Sequence, residues 1–295
     1  MPRRNSTRRA ARPATREVAI QSHRQFGLAE IVKASELIYA RPARGKGLSL
    51  FAAKSLNLML GVAGGAGFED RVYEIPKKEL RRGHKGNERI PDMLDELMTT
   101  QFKLDTVSPR GRPAILTAGL LSSNIEELDD AADDSLVYFR FTREFIEIHR
   151  RSDLWAKLSG QTMLAFDSAY SLKLYEIGCQ MAGRRDPSMI LSVSELRAVL
   201  GVPEGAYRDW TDLRRKTLEK AKAEIDQLAH FVLLWREKRQ GRKVVSVELS
   251  FWPKPGKDAI AAYEERERHR AGRRARREGT VERILDDDEA SQISR

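Results

Sequence analysis

The chain has 295 residues, of which 41% are hydrophobic and 33% charged, with a formal net charge of +10 and a mean hydropathy of −0.53. This length suits about two domains, the apolar fraction is sufficient for packed cores, and the polarity excludes a membrane protein. The most apolar stretch, 48–68, contains Lys54, Asn57 and several glycines, so it is too polar for a bilayer span of about 20 residues. The single cysteine, Cys179, cannot form an internal disulfide and fits a reducing cytoplasm.

Charge is unevenly distributed along the chain. Residues 1–16 contain six arginines and no acidic residue, residues 264–278 carry a net charge of +3, and residues 279–295 carry −3. We expect residues 1–25 to form a disordered basic arm and residues 264–295 a charged tail, because a segment that buries little apolar surface cannot offset its ordering entropy. The arm either binds phosphates without sequence preference or is only a solvated tail.

The first half of the chain predicts a domain of mixed helices and strands over residues 45–148. An apolar helix is expected to end at the glycine-rich segment, since glycine disfavours helix. The strands around 108–113 predict a hairpin whose turn carries two arginines, which is a candidate wing. The predicted elements, in chain order, are helix 47–60, glycine-rich connection 61–67, strand 72–75, a helix around 79–80, a helix over 90–98, strands 102–107 and 114–117, loop 126–134 and strand 137–141.

The second half, residues 149–256, predicts a helix over 168–181, a short helix, a long helix and a β-hairpin. Ser192 and Glu195 have the spacing of a capping box, and Gly201 ends the short helix. Strands 231–235 and 244–251 flank a charged turn, 236–243. In the long helix an apolar face repeats at three- and four-residue steps: Trp210, Leu213, Thr217, Ala221, Ile225 and Leu228. At about 100° per residue the opposite face holds Arg208, Asp212, Arg215, Glu219 and Lys222, with Lys216 beside them.

Three stretches of the second half resemble a known family. They are Asp212-Leu-Arg-Arg-Lys-Thr-Leu218, Glu224-Ile225, and Glu237-Lys-Arg-Gln-Gly-Arg-Lys243 followed by a strand ending in Ser250-Phe251. These closely resemble the second winged-helix domain of the iteron-binding plasmid replication initiators. Upstream, residues 168–176 and 191–201 look like that family's linker helix and first helix of its helix-turn-helix. The expected fold is α+β, with two winged-helix domains in tandem.

The resemblance also implies a function. It implies binding to direct repeats of double-stranded origin DNA, opening of an adjacent A·T-rich duplex, and recruitment of the host initiator ATPase and helicase. It implies further that dimers, in equilibrium with origin-binding monomers, repress the protein's own gene. The protein is then expected to be cytoplasmic and to associate with the nucleoid or plasmid.

Side-chain chemistry predicts a role for several basic residues of the second half. Arg215 and Asp212 lie on adjacent turns and can read base edges together, arginine to guanine and aspartate to a cytosine amino group. Arg214 lies nearer the buried face, so it is expected to extend to a phosphate. Arg242 and Lys243 on the wing are expected to contact phosphates and position the protein. Arg208, Lys216 and Lys222 complete this predicted DNA-binding set.

The first half carries a second group of basic residues. They surround the start of the 90–98 helix and the predicted wing: Arg81, Arg82, Lys85, Arg89, Arg110 and Arg112. Asp92, Asp95 and Glu96 follow on that helix and would repel phosphates, so only its first turn and the wing can approach a duplex. A charged surface without a ligand is the open alternative.

Enzymatic interpretations find little support in the sequence. The segment 61–67 is followed by no Gly-Lys-Ser/Thr, and the five histidines are scattered, with no pair at metal-ligand spacing. We therefore expect no catalytic residue, metal or cofactor. The open alternatives are a winged-helix transcriptional regulator, which would bind an inverted repeat as a fixed dimer, a metal-dependent nicking enzyme, and a structural or RNA-binding role.

Deletion of residues 1–16 tests the basic arm. If the arm binds DNA, its removal lowers non-specific affinity and flattens the log–log salt dependence by about 0.9 for each phosphate that the arm neutralises. The measurement is a titration of random-sequence duplex at several salt concentrations. An unchanged slope would show that the arm stays off the DNA.

Overall fold

A computed structural model describes residues 30–64, 69–82, 88–128 and 134–280. The first half comprises β1 (Glu30–Ala34), α1 (Ser35–Tyr39), β2 (Arg41–Pro42), α2 (Leu50–Gly64), β3 (Tyr73–Pro76), α3 (Lys77–Leu80), α4 (Ile90–Thr99), β4 (Gln101–Val107), β5 (Pro113–Gly119), β6 (Leu121–Glu126), β7 (Leu136–Phe141), α5 (Arg143–Arg151) and β8 (Trp155–Ser159). The second half comprises α6 (Gly160–Ala165), α7 (Ala169–Met181), β9 (Ser188–Ser192), α8 (Val193–Leu200), α9 (Trp210–Leu213), a π-helical segment (Arg214–Glu219), α10 (Lys220–Leu228), β10 (Phe231–Gln240), β11 (Lys243–Pro253), α11 (Gly256–Glu267) and α12 (Arg273–Glu278). Within these residues no helix is both long and apolar enough to cross a bilayer.

The second half is a winged helix, as predicted. Helix α7 is followed by β9, α8, the long helix and the β10–β11 hairpin, and the antiparallel sheet has the order β10-β11-β9. The α9, π-helical and α10 segments follow one another with helical backbone at both junctions, so we call them together the 210–228 helix. The capping box is present, because Ser192 Oγ accepts from the Glu195 N–H at 3.1 Å and Glu195 accepts from the Ser192 N–H at 2.7 Å. Gly201 ends α8 in the left-handed conformation, with φ of 63°.

The hairpin is longer than its sequence suggested. Paired backbone extends to Gln240 and resumes at Lys243, so the predicted eight-residue turn contracts to Gly241 and Arg242. The charged residues 236–239 can take part in strand pairing because most of their side chains are exposed to water. Gly241 takes φ of 59°, which favours glycine at the tip.

The first half contains the predicted wing and sheet, with added elements. Strands β4 and β5 form the hairpin across 108–112, and β4 also pairs with β2. Strand β7 pairs with β3 on one side and with β6 on the other, so, contrary to expectation, it is the central strand of its own sheet and does not close the sheet that contains the wing. The sequence did not predict β6, because half of its side chains are exposed and it lacks a regular apolar alternation. Helix α2 continues to Gly64, whereas an end at 60 was expected; Gly61 and Gly64 are buried in it.

The N-terminal elements and the domain boundary also differ from expectation. Strand β1, upstream of the predicted start at 45, pairs along its length with β8. The predicted boundary between 148 and 149 lies inside α5, and His149 there is fully buried between Phe145 and Trp155. The basic run at 149–151 suggested a linker, but cations are favourable in the last turn of a helix. The predicted charged tail, 264–295, is wrong over its first part, because residues 264–280 contain the end of α11 and all of α12, and Glu265 and Arg273 there are buried. The predicted arm, residues 1–25, and the tail beyond residue 280 lie outside the described residues.

Helix α7 belongs to both halves of the fold. One side faces the second hairpin, where Phe231 and Phe251 pack over Gly178 so closely that a Cβ there would lie 2.2 Å and 2.8 Å from their rings. Another side faces the first half, where Lys33 of β1 donates to Glu176 at 2.8 Å and to Asn57 of α2 at 3.0 Å. Asn57 in turn donates to Glu176 at 2.8 Å. The three residues of this buried triad tie β1, α2 and α7 together.

A second buried lysine joins α2 to the segment before α7. Lys54 is fully buried, and its ammonium donates to the carbonyls of Leu164 at 2.8 Å and Phe166 at 2.7 Å. Burial lowers the pKa of Lys54 to about 8. The cation satisfies carbonyls that α6 leaves open at its C-terminal end, where a positive charge is favourable.

The substitution Gly178→Ala tests the packing of α7 against the hairpin. Alanine is the better helix former by about 1 kcal/mol, but here its methyl group would overlap two phenyl rings. We expect a net loss of about 1–3 kcal/mol in the free energy of unfolding, measured by urea denaturation. Gly256→Ala in α11, where an added Cβ meets nothing within 4 Å, is the matched control and should be neutral or stabilising. If both substitutions stabilised the protein, the close packing of the two phenyl rings on Gly178 would be contradicted.

Candidate nucleic-acid interface

The start of the 210–228 helix is held by its preceding turn. Asp209 caps the helix by accepting from the Asp212 N–H at 2.8 Å. Just before it, Tyr207 has φ of 50°, an uncommon conformation for a residue other than glycine. Arg197 of α8 donates to the carbonyl of Tyr207 at 2.9 Å and also to that of Ala206. Arg197 was not predicted as a site residue, yet it sets the direction in which the helix begins.

The π-helical segment lies where the sequence placed the base-reading residues. Residues 214–219 form this wider turn, and Thr217 Oγ1 donates to the Leu213 carbonyl at 2.7 Å. Because a π-helix bonds i to i+5, each residue advances less than 100° around the axis, and later side chains rotate relative to a regular helix. Two of the predicted DNA-binding residues on this helix have partners on β10.

The two residues with partners on β10 are Arg214 and Lys222. Arg214 donates to Glu219 at 2.9 Å and to Glu237 of β10 at 3.2 Å, so it is paired with carboxylates instead of extending freely towards a phosphate. Lys222 contacts Asp226 and donates to the Leu233 carbonyl at 2.9 Å, which corrects its placement on the free polar face. Both basic groups brace the hairpin against the helix.

Glu237 is the centre of this brace. Its Oε1 accepts from the Trp210 indole at 2.7 Å and from Arg214, and its other oxygen accepts from Arg239. Partial burial raises the pKa of Glu237, but hydrogen bonds from Trp210, Arg239 and Arg214 outweigh it, and the pKa lies below its usual value. The carboxylate therefore stays charged at neutral pH and holds the base of the wing to the start of the helix.

The remaining basic residues of the helix are exposed at its surface. Arg215 donates to Asp212 at 2.7 Å, and its side chain is 61% exposed, so the two residues present an oriented polar pair to solvent. Arg208 and Lys216 are exposed beside it. Lys220 is exposed too and was not predicted; its four-residue spacing from Lys216 is the signal that could have identified it.

The hairpin adds a basic ribbon next to the helix. The predicted wing residues Arg242 and Lys243 are exposed at its tip. Three further basic residues of β10 are also exposed: Arg236, Lys238 and Arg239. We refer to these five residues as the basic ribbon. Because Glu237 ties β10 to the start of the helix, the base of the wing is fixed beside the exposed basic residues of the helix.

The first half presents a smaller and mixed surface. Arg110 and Arg112 are exposed at the β4–β5 tip, and Arg89 is exposed just before α4. At the end of α3, Arg82 pairs with Glu79 at 2.8 Å, and Arg81 is exposed beside it. Lys85 lies outside the described residues. On α4 the exposed residues Asp92 and Asp95 oppose an anionic ligand, as expected from the sequence.

Alternative reactive sites have little chemical support. Burial raises the pKa of the Cys179 thiol to about 12, so it stays protonated and is not an activated nucleophile. Among the described residues no cluster of histidine, cysteine, aspartate and glutamate has the geometry of a metal site. The glycine-rich segment is helical up to residue 64.

Comparison with protein families gives two matches that together cover most of the described chain. Residues 30–179 match a family described as initiator replication protein, WH1, and residues 192–251 match initiator Rep protein, WH2. The first match ends at residue 179, near the end of α7, and the second begins at residue 192. The division therefore lies within residues 180–191 and not at the predicted 148/149. No curated protein sequence matches the chain.

Two solved structures resemble this fold to different degrees. The crystal structure of Pi initiator protein in complex with iteron DNA superposes with a TM-score of 0.58 at 18% identity, covering 77% of this chain and 98% of that chain. Domains 2 and 3 of RctB give a TM-score of 0.38 at 13% identity, covering 75% and 85%. The first shares the arrangement of the two domains described above.

The substitution Glu237→Ala tests the brace between helix and wing. It removes the acceptor of three hydrogen bonds, two of them from arginines, and should lower the free energy of unfolding by about 1–2 kcal/mol. Glu248→Ala on β11 is the matched control, since Lys238 at 3.9 Å is the only charged partner of that carboxylate within the described part of the chain. Thermal or urea denaturation measures both. Equal effects would mean that Glu237 does not hold the wing.

Proposed function

The chain belongs to the initiator Rep family of replication proteins, and on that premise we propose that it binds direct repeats of double-stranded DNA at a plasmid origin and starts replication there. One observation carries the proposal most directly. The exposed basic residues of the 210–228 helix and the basic ribbon are held together by Glu237, so a helix and a wing are presented to the same duplex.

We assign base reading to Arg215 and Asp212. They lie in the exposed N-terminal part of the helix, where a winged helix enters the major groove. In the free protein they bind each other at 2.7 Å. On DNA, the arginine would donate to O6 and N7 of guanine, and the aspartate would accept from a cytosine amino group. Each residue then exchanges one charged partner for a base edge, which limits the cost of removing it from water.

The other free cations position the protein on the backbone. Arg208, Lys216 and Lys220 flank the reading pair, while Arg242 and Lys243 lie at the wing tip, where a phosphate contact carries no sequence information. Arg214 and Lys222 act through the brace, without DNA contact. In the first half, Arg89 and the wing residues Arg110 and Arg112 would make a second, weaker contact, with Arg81 and Arg82 at its margin.

The wider activities follow from family membership and are proposed with it. The initiator would open the duplex beside its repeats, recruit the host initiator and helicase, and repress its own gene as a dimer, acting in the cytoplasm without catalytic chemistry or a cofactor. The Pi initiator, whose fold is similar, was crystallised with iteron DNA, which supports the choice of direct repeats as the ligand.

Arg215→Ala and Arg242→Ala separate base reading from phosphate contact. Arg215→Ala should weaken binding to the cognate repeat by about 1–3 kcal/mol and relax preference at one base position, leaving random DNA nearly unaffected. Arg242→Ala should weaken cognate and random DNA alike and reduce the salt slope by about 0.9. Fluorescence titration against a cognate duplex, its single-base variants and random duplex measures all three. Equal losses for Arg215→Ala on every duplex would contradict its assignment.

The repeat arrangement distinguishes an initiator from a transcriptional regulator. Gel-shift with the DNA flanking the gene should show retention on tandem direct repeats of about 20 bp, because binding to one face of the duplex requires whole turns. Binding only to an inverted repeat, as a fixed dimer, would instead identify a regulator.

A further inference from the structure

A cavity lies between the two winged-helix domains, away from both basic surfaces. Its volume is about 120 Å³, and its lining comes from β1, α1, α2 and α5 of the first half and from α7 and α8 of the second. Most of the wall is apolar, with Leu37, Leu56, Phe145, Leu172 and Leu200 among the lining residues. Where the halves meet, Gly47 donates its N–H to the Gly201 carbonyl at 2.9 Å, so the two backbones are in direct contact beside the cavity.

One side of this apolar cavity is charged. Lys33, Lys173 and Glu176 all line it. Arg41 also lines the cavity and is paired with Asp105 at 2.7 Å. Lys33 and Glu176 bind each other and Asn57 within the buried triad. Lys173 is half-buried and makes no hydrogen bond or ion pair with any residue that the structure describes. Among the described residues, Lys33 is paired with Glu176 and Arg41 with Asp105, so Lys173 is the lining cation that lacks an anionic partner.

We propose that this cavity binds a small organic acid, with its carboxylate on Lys173 and a compact apolar body against the leucine and phenylalanine side chains. The site is independent of DNA binding, since none of these residues belongs to the helix or wing surface. Both domains contribute to its wall, so an occupant would contact β1 and α2 on one side and α7 and α8 on the other.

The size and charge of the cavity define the ligand class. A buried apolar cavity of about 150 Å³ accommodates benzene, so a single ring or a short alkyl chain suits this one. A neutral ligand would leave the cation unpaired, and a phosphate would lack the apolar body that fills the remaining wall. Burial lowers the pKa of Lys173 to about 8, although Glu176 opposes the shift, and the ammonium remains mostly charged at neutral pH.

Benzoate and benzamide are the probes, because they match in size and differ in charge. Saturation-transfer NMR and calorimetry with the full chain should show saturable binding of benzoate, at least about tenfold tighter than benzamide, as expected when a charged hydrogen bond is added. Lys173→Met should remove this difference, while Lys157→Met, at an exposed lysine of β8, should preserve it. Ala53→Leu should fill part of the cavity and weaken both probes.

Three outcomes would overturn the proposal. They are no saturable benzoate binding at millimolar concentration, equal affinity for the two probes, and unchanged benzoate affinity in Lys173→Met. Circular dichroism of each variant confirms folding. Should Ala53→Leu fail to fold, the comparison of Lys173→Met with Lys157→Met still decides whether the charge is used.

Discussion

The arrangement of this protein depends on the enclosed ion pair between Lys33 and Glu176. Both side chains are almost fully excluded from water, and Asn57 donates a further hydrogen bond to the same carboxylate oxygen, Oε1, as Lys33. Burial raises the pKa of Glu176, but Lys33 and Lys173 reverse the shift, so it remains a carboxylate. Loss of one partner from such a pair leaves an uncompensated buried charge, at a cost of about 3–5 kcal/mol. The ion pair therefore fixes the position of α7 against β1 and α2.

The position of α7 in turn determines the position of the surface proposed to face DNA. Gly178 lets the aromatic rings of Phe231 and Phe251 rest directly on the helix, which sets the base of the hairpin. Glu237 then fastens the hairpin to Trp210 at the start of the 210–228 helix. Charged residues consequently divide into two groups. Those that brace, such as Arg214 and Lys222, are paired within the protein, and those near Arg215 remain exposed for a ligand.

Much of the second half could be predicted, because its signals are local. The capping box at Ser192, the glycine that ends α8 and the two strands of the hairpin each depend on a few neighbouring residues. The interaction of Lys33 with Glu176 could not be predicted, since 143 residues separate the two in sequence. The role of Arg214 could not be predicted either, because its partner Glu237 lies 23 residues further along the chain, on β10. The N-terminal elements were missed for a similar reason, as the partner of β1 is the distant β8.

The domain division shows the same limit. A basic run at 149–151 resembles a linker by composition, yet the burial of His149 and the pairing of β8 keep that region within the first half. Composition describes what a segment can tolerate, whereas its tertiary contacts decide where a domain ends. With α7 shared, the two winged helices are expected to engage DNA as one unit.

Hydroxyl-radical footprinting of the full-length monomer on a duplex with a single repeat tests that central claim most directly. If both domains bind together, the protein should protect two backbone windows on one face of the duplex, about one helical turn apart. A single window, confined to the contacts of the 210–228 helix and its wing, would contradict the account.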